Sequence, residues 1–326
     1  MRNVWQTLKK PFFVLAPMED VTDAAFRALI ARHGKPDVFF TEFTSADGLL
    51  YADDAGQRKL RKKLLYSDSE HPIIAQLFTS DPARMEHAAH IVRDMGFDGI
   101  DINMGCPDRA IEKSRSGAAL IKDTARARSL ISAAKKSGLP VSVKTRVGYA
   151  RDELDTWLSE LLAEEPAAIT IHARTRNELS DVPARWEFVA KAVAIRNAIQ
   201  NPRGDTSRMT KILGNGDVRD ISDARAKADA TGCDGVMLGR AIYGNPWLFA
   251  DRVHPPAPQE RVSALIEHLM LFDQLLSETT SYAVMKKHFK AYISGWDGAR
   301  ELRVGLMNTD TSAEARRVLV SAILPA

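Results

Sequence analysis

The sequence predicts an α/β chain: a (β/α)8 TIM barrel followed by a small C-terminal helical domain. Three observations predict it. Eight short apolar, largely β-branched runs recur at 12–17, 37–43, 72–77, 99–105, 140–146, 168–174, 211–217 and 234–240, each bounded by turn residues. Segments with helical apolar spacing lie between them, at 23–33, 82–95, 124–137, 154–164, 184–198 and 221–230. Apolar strands alternating with helices make a parallel sheet covered on its outer face, and eight such units in about 250 residues close into a barrel. The third observation is that nearly every run ends in polar residues, as it must if all eight carboxyl ends converge on one mouth.

Taken in order, the first run ends in Pro17-Met18-Glu19, the second holds Glu42 and the third Gln76. The fourth is the most telling. Asp101-Ile-Asn-Met-Gly-Cys-Pro107 presents Asn103, Cys106 and the Asp101 carboxylate at the end of a strand, a set that packing does not require. An unperturbed thiol has a pKa of about 8.5, so near neutral pH it can donate a proton. Asparagine places donors and an acceptor side by side, which suits a nucleobase edge. The fifth run carries Lys144 and Arg146, the sixth His172 and Arg174. A lysine inside an apolar strand needs a partner. Lys144 either stabilises negative charge on a ligand or attacks a carbonyl as a Schiff-base nucleophile. The seventh and eighth runs end in Gly214-Asn215-Gly216-Asp217 and Gly239-Arg240, small residues and one cation where barrels build phosphate sites.

Composition narrows the class further. The 326 residues are 45% hydrophobic and 27% charged, typical of a folded globular chain. No apolar stretch reaches the roughly 18 residues of a membrane span, and the N-terminus lacks a signal-peptide core. Two cysteines without paired spacing, Cys106 and Cys233, suggest neither disulfides nor zinc. We therefore expect a reducing, cytoplasmic setting and a monomer. Net charge is only +3, yet residues 105–151 hold eleven Lys or Arg against three acids, and 58–63 hold five cations in six residues. Such clusters beside the site suit a polyanionic partner.

The pattern changes after Pro246-Trp247. A linker at 255–258 precedes helical segments at 259–279, 282–296 and 312–324, so the chain divides into 1–252 and 253–326. The tail's cations gather in Lys286-Lys287-His288 and Lys290. Cys233 is assigned to packing, and 197–210 to a surface insertion on the side away from the mouth.

The motifs in this order resemble the flavin-dependent tRNA-dihydrouridine synthases: Ala16-Pro17-Met18, Val21-Thr22-Asp23, Phe26-Arg27, Gln76, 101–107, Val143-Lys-Thr-Arg146, His172-Ala-Arg-Thr-Arg176, 214–217, Gly239-Arg240 and Lys286-Lys-His288. The resemblance implies FMN in the barrel mouth, contacted by Pro17, Met18, Glu19, Gln76, Lys144 and His172. Asn215, Gly216, Asp217, Gly239 and Arg240 would take its phosphate and ribityl chain. It further implies NADPH as reductant, hydride transfer to C6 of a flipped-out uracil in tRNA, and Cys106 as the general acid at C5. Asn103, Arg146, Arg174, Arg176, Lys286, Lys287 and His288 become substrate-binding candidates, and 253–326 an RNA-binding domain. Glu19-Asp20 and the segment 177–186 depart from the family's pattern.

Overall fold

In the computed structural model, which describes residues 3–200, 209–250, 252 and 256–323, the apolar runs form parallel strands. They are β1 (Phe12–Leu15), β2 (Phe39–Phe40), β3 (Thr44–Ser45), β4 (Ile73–Phe78), β5 (Gly99–Met104), β6 (Val141–Arg146), β7 (Ala168–His172), β8 (Lys211–Asn215) and β9 (Gly235–Leu238). The sheet runs β1-β9-β8-β7-β6-β5-β4-β2. It closes where Asp37 N donates to Phe13 O at 2.9 Å and Leu15 N to Val38 O at 3.3 Å. The result is the expected eight-unit barrel.

The second unit is broken in two. Phe40 stands opposite Ile74 and Thr44 opposite Leu77, so four steps on one strand face three on the other. That is a β-bulge. Thr41 Oγ1 there accepts the Gln76 N–H at 3.1 Å, replacing a ladder carbonyl, and Glu42 accepts the Asp20 N–H at 2.6 Å from the loop after β1.

Side chains alternate across each strand, and this parity builds the site. Ile100 and Ile102 face out onto the covering helices, leaving Asp101 and Asn103 inside. The lower interior is an apolar plug of Phe12, Val14, Phe40, Ile74, Leu213 and Met237, capped by the fully buried Trp5 from the short helix Val4–Gln6. Above it the register lines up polar rows. Gln76, Asp101 and Ser142 are cross-strand neighbours, as are Asn103, Lys144 and Thr170, and then Arg146, His172 and Asn215.

Helices start at the mouth because aspartates there accept their free N–H groups: Asp23, Asp81, Asp123 and Asp220 cap Ala24–His33, Pro82–Asp94, Thr124–Lys135 and Ile221–Thr231. The expected helix at 184–198 begins only at Glu187, since Ala184 N donates to Asp217 Oδ2 at 2.9 Å. Four helices were not expected, Ala46–Tyr51, Asp54–Lys63, Arg109–Lys113 and Ala299–Met307; of these Asp54–Lys63 carries the cations of 58–63 and buries no residue, so no apolar period marks it.

The tail contains Pro258–Leu275, Lys286–Tyr292, Ala299–Met307 and Ser312–Ile323. The expected helix at 282–296 ends at Tyr292, because Gly295 and Gly298 adopt left-handed φ of 88° and 83°. The tail packs on Ala24–His33, where His268 stacks on Phe26 at 4.9 Å between ring centroids. Residues 201–208 of the expected insertion and Pro255 of the expected linker lie outside the described residues, and among the described residues no helix is long and apolar enough to cross a membrane.

Candidate active site

The turn after β5 is fixed atom by atom. Asn103 Oδ1 accepts the N–H groups of Gly105 at 3.2 Å and Cys106 at 3.0 Å. Arg146 Nε donates to Gly105 O at 2.8 Å, Ala118 N to Cys106 O at 2.9 Å, and Arg176 Nη2 to Pro107 O at 3.3 Å. Every backbone donor and acceptor of 105–107 therefore has a partner, and the thiol sits on a rigid turn. Gly117 is required here, because at φ 61° a Cβ would fall 2.7 Å from Cys106 O. Cys106 itself is half-buried, and burial pushes its thiol pKa up. Near neutral pH it is a protonated acid.

Beneath this turn lies a buried polar floor. Lys144 Nζ donates to Asn215 Oδ1 at 3.2 Å, and Asn215 Nδ2 to Met237 O at 2.8 Å. Burial, then the nearby Arg146 charge, lower the Lys144 pKa to about 8. Lys144 thus remains mainly a cation at pH 7. His172 is pushed well below its usual value by burial and stays neutral; its Nδ1 is buried without a hydrogen-bond partner. At the β7–β8 edge, Arg174 Nη2 donates to Asp217 Oδ2 at 2.5 Å and Arg240 Nη2 to Asp217 Oδ1 at 2.7 Å. Arg174 Nη1 is buried and unpartnered. Gly216 between them has φ 126°. The arrangement offers a proton donor on the rim, a cation on the floor and a cationic edge.

A family model described as dihydrouridine synthase matches residues 14–326. A Staphylococcus epidermidis protein named "Probable tRNA-dihydrouridine synthase" is 40% identical over 319 residues, covering 97% of this chain and 95% of the relative. The chain belongs to the dihydrouridine synthase family. A Bacillus subtilis relative, "Probable tRNA-dihydrouridine synthase 2", matches family and chain alike, at 40% identity over 97% of this chain and 95% of its own. A structure of morphinone reductase in complex with tetrahydroNAD resembles this family member at TM-score 0.52 and 13% identity, over 79% of this chain and 92% of that one. That likeness is one of fold.

In this dihydrouridine synthase the mouth gathers Gln76, Asn103, Cys106, Lys144, His172 and Asn215, while Met18 Sδ would lie 3.6 Å from a Cβ at Gly239. Several expected substrate contacts have other work. His288 is corrected: it is 1% exposed, set edge-on to Phe26 and His268, with its pKa lowered to about 4 by burial. It packs the tail onto the barrel and does not face solvent. Arg146 and Arg174 are also buried, holding the carbonyls of Gly105, Thr175, Leu179 and Val182. Arg176 pairs with Glu112, Lys286 donates to Met307 O at 3.0 Å, and Lys287 pairs with Asp20 at 2.9 Å. Glu19, expected at the cofactor, pairs with Lys63. The unusual Glu19-Asp20 turn thus ties the barrel to both the cationic helix and the tail. Ser142, Glu112 and Trp186 went unrecognised. Strand parity with Lys144 marks Ser142, but nothing local marks Glu112 or the packing of Trp186 across Gly214.

Proposed function

We propose that the chain reduces the C5–C6 bond of uridines in tRNA to 5,6-dihydrouridine, with FMN as resident cofactor, NADPH as reductant and Cys106 as general acid. It acts as a cytoplasmic monomer, with 1–252 catalytic and 253–326 binding RNA. The observation that carries this reading is a protonated thiol locked on the rim of a mouth whose floor holds Lys144, His172 and Asn215.

The residues fit a flavin nucleotide. The unpartnered His172 Nδ1 and Arg174 Nη1 are polar atoms waiting for a ligand acceptor or donor, and an unfilled buried polar group is costly. Pro17, Met18, Gln76, Lys144 and His172 would hold the ring, and Asn215, Gly216, Asp217, Gly239 and Arg240 the phosphate and ribityl chain. When bound and reduced, the flavin supplies the hydride for uracil C6. Lys144 holds positive charge at the floor, favouring an anionic ring. Cys106 gives its proton to C5, and a thiol with a raised pKa is in the correct form to do so. A stacked uracil cannot enter the barrel, so the base must be flipped out. Among the described residues Arg58, Lys59, Arg61, Arg109, Lys113 and Arg115 are exposed and form no ion pair, leaving cations for the RNA backbone.

The test starts from the visible spectrum of the purified protein. A yellow protein that bleaches with NADPH under anaerobic conditions, and regains colour only with unmodified tRNA, is the expected result. A protein that stays colourless after incubation with FMN overturns the cofactor. Cys106→Ala is expected to retain flavin and its reduction by NADPH while losing dihydrouridine formation at least a hundredfold; undiminished product removes Cys106 as the acid.

A further inference from the structure

Asp101 lies fully inside the barrel, on the strand that leads to the Cys106 turn. Its two oxygens are both engaged: Ser142 Oγ donates to Oδ1 at 2.6 Å and Gln76 Nε2 to Oδ2 at 2.7 Å. A carboxylate accepts only. It therefore obliges the Gln76 amide to turn its NH2 toward strand β5, which leaves Gln76 Oε1 as an acceptor. That oxygen takes Asn103 Nδ2 at 3.2 Å. With its NH2 so used, Asn103 must present Oδ1 to the turn, where it meets the two N–H groups of Gly105 and Cys106. Donor and acceptor sense is thus passed from Asp101 through two amides to the backbone of the reactive cysteine.

The reverse orientation fails at the far end. If Gln76 and Asn103 were both flipped, an NH2 would face two backbone N–H groups, leaving three donors on a half-buried turn without that acceptor. Asp101, Gln76, Ser142 and Asn103 are all buried, so water does not substitute. The charged group acting on Asp101 from a neighbouring strand is Lys144 of β6.

We propose that Asp101 is a positioning residue for the Cys106 turn, acting through the amide orientations of Gln76 and Asn103. This rests on the reading of Cys106 as general acid, and assigns Asp101 no contact with flavin or uracil. The sense of the chain, rather than the charge, is what matters. Asn at 101 can turn its oxygen to Gln76 Nε2 and its NH2 to Ser142 Oγ, preserving the relay, whereas Ala releases the Gln76 amide to rotate.

The test compares Asp101→Ala with Asp101→Asn in the full-length protein, reading steady-state dihydrouridine formation on tRNA and the rate of Cys106 alkylation by N-ethylmaleimide. Asp101→Ala is expected to lower kcat ten- to a hundredfold with KM for tRNA within twofold, and to change the alkylation rate at least threefold. Asp101→Asn is expected to restore both to within threefold. A double-mutant cycle with Asn103→Ala is expected to be non-additive, the double variant being no worse than Asn103→Ala alone. Asp101→Ala with unchanged kcat and alkylation, Asp101→Asn as impaired as Ala, or an additive cycle would each overturn the proposal. Should Asp101→Ala not fold, Gln76→Met breaks the same relay one link on. Because Gln76 would also hold the flavin ring, only the Cys106 alkylation rate of the flavin-loaded variant is read, an unchanged rate overturning the proposal. Alkylation keeps the two readings apart: if Cys106→Ala still forms product, the acid assignment falls, while the effect of Asp101 on the thiol is still measured.

Discussion

Glu42 shows how much a single buried group contributes outside the chemistry. It is 4% exposed at the bulge, accepts the Asp20 N–H at 2.6 Å, and has its pKa raised to about 7, first by burial and then by Asp23. Lys63 opposes that rise and Glu19 adds to it. The folded pKa lies above the unfolded one, so the folded state holds the proton more tightly. That stabilisation is complete below the unfolded value of 4.5 and is lost as pH rises through 7, a swing of about 3 kcal/mol. Glu42→Gln keeps an acceptor for Asp20 and removes the charge. Its melting temperature is expected to rise above wild type at pH 8 and to match it at pH 5. Equal shifts at both pH values, measured by thermal unfolding, would contradict the buried-charge account. The same scale shows what residue type alone does not reveal: Arg146 and Arg174 are buried and hold loop carbonyls, and His288 packs against Phe26.

Among the elements, the five-residue helix Arg109–Lys113 is too short to stand alone. Asp108 caps it, with Oδ1 accepting Ala110 N at 2.8 Å, and Glu112 anchors it to Arg176 on the loop after β7. This pair fastens the helix to the β7 loop, where Arg176 also holds the Pro107 carbonyl of the cysteine turn. Arg176→Ala is expected to speed hydrogen exchange of Arg109–Lys113 several-fold and to lower kcat about tenfold, with flavin retained. Unchanged exchange there would mean that Asp108 and the turn suffice. Elements with an apolar period were legible to within a few residues, as Leu154–Leu162 against the expected 154–164 illustrates. Asp54–Lys63 was not, because it floats its cations in solvent and buries nothing. The second strand was expected whole; its break depends on Thr41 Oγ1 meeting Gln76 N from another strand, which no local pattern encodes.

Over the whole molecule, the Glu19-Asp20 turn is the meeting point of barrel, cationic helix and tail, through Lys63 and Lys287. A cavity of about 220 Å³ lies between them, with Glu42 and Lys59 in its lining. Among the described residues, Arg58, Lys59 and Arg61 stand unpaired on the helix that borders this junction, and under the proposed function they would meet the RNA backbone. Replacing Arg58, Lys59 and Arg61 together by Ala is expected to raise KM for tRNA at least fivefold and to flatten the log–log salt dependence of binding by about two units. Flavin reduction by NADPH should be unaffected. A KM change with no change in salt slope would remove these cations from the RNA interface.

The sequence by itself determined the barrel, the order of its units, and the identity of the groups at its mouth. It could do so because strand alternation and helix spacing are local periodicities, and because a closed parallel barrel brings every strand's carboxyl end to one place. Tertiary structure decided the rest: which arginines hold loops, that His288 joins tail to barrel, and that Asp101, Gln76 and Asn103 form one chain to Cys106. Hydrogen-bond sense and burial depend on residues far apart in sequence, and they exist only once the strands are in register.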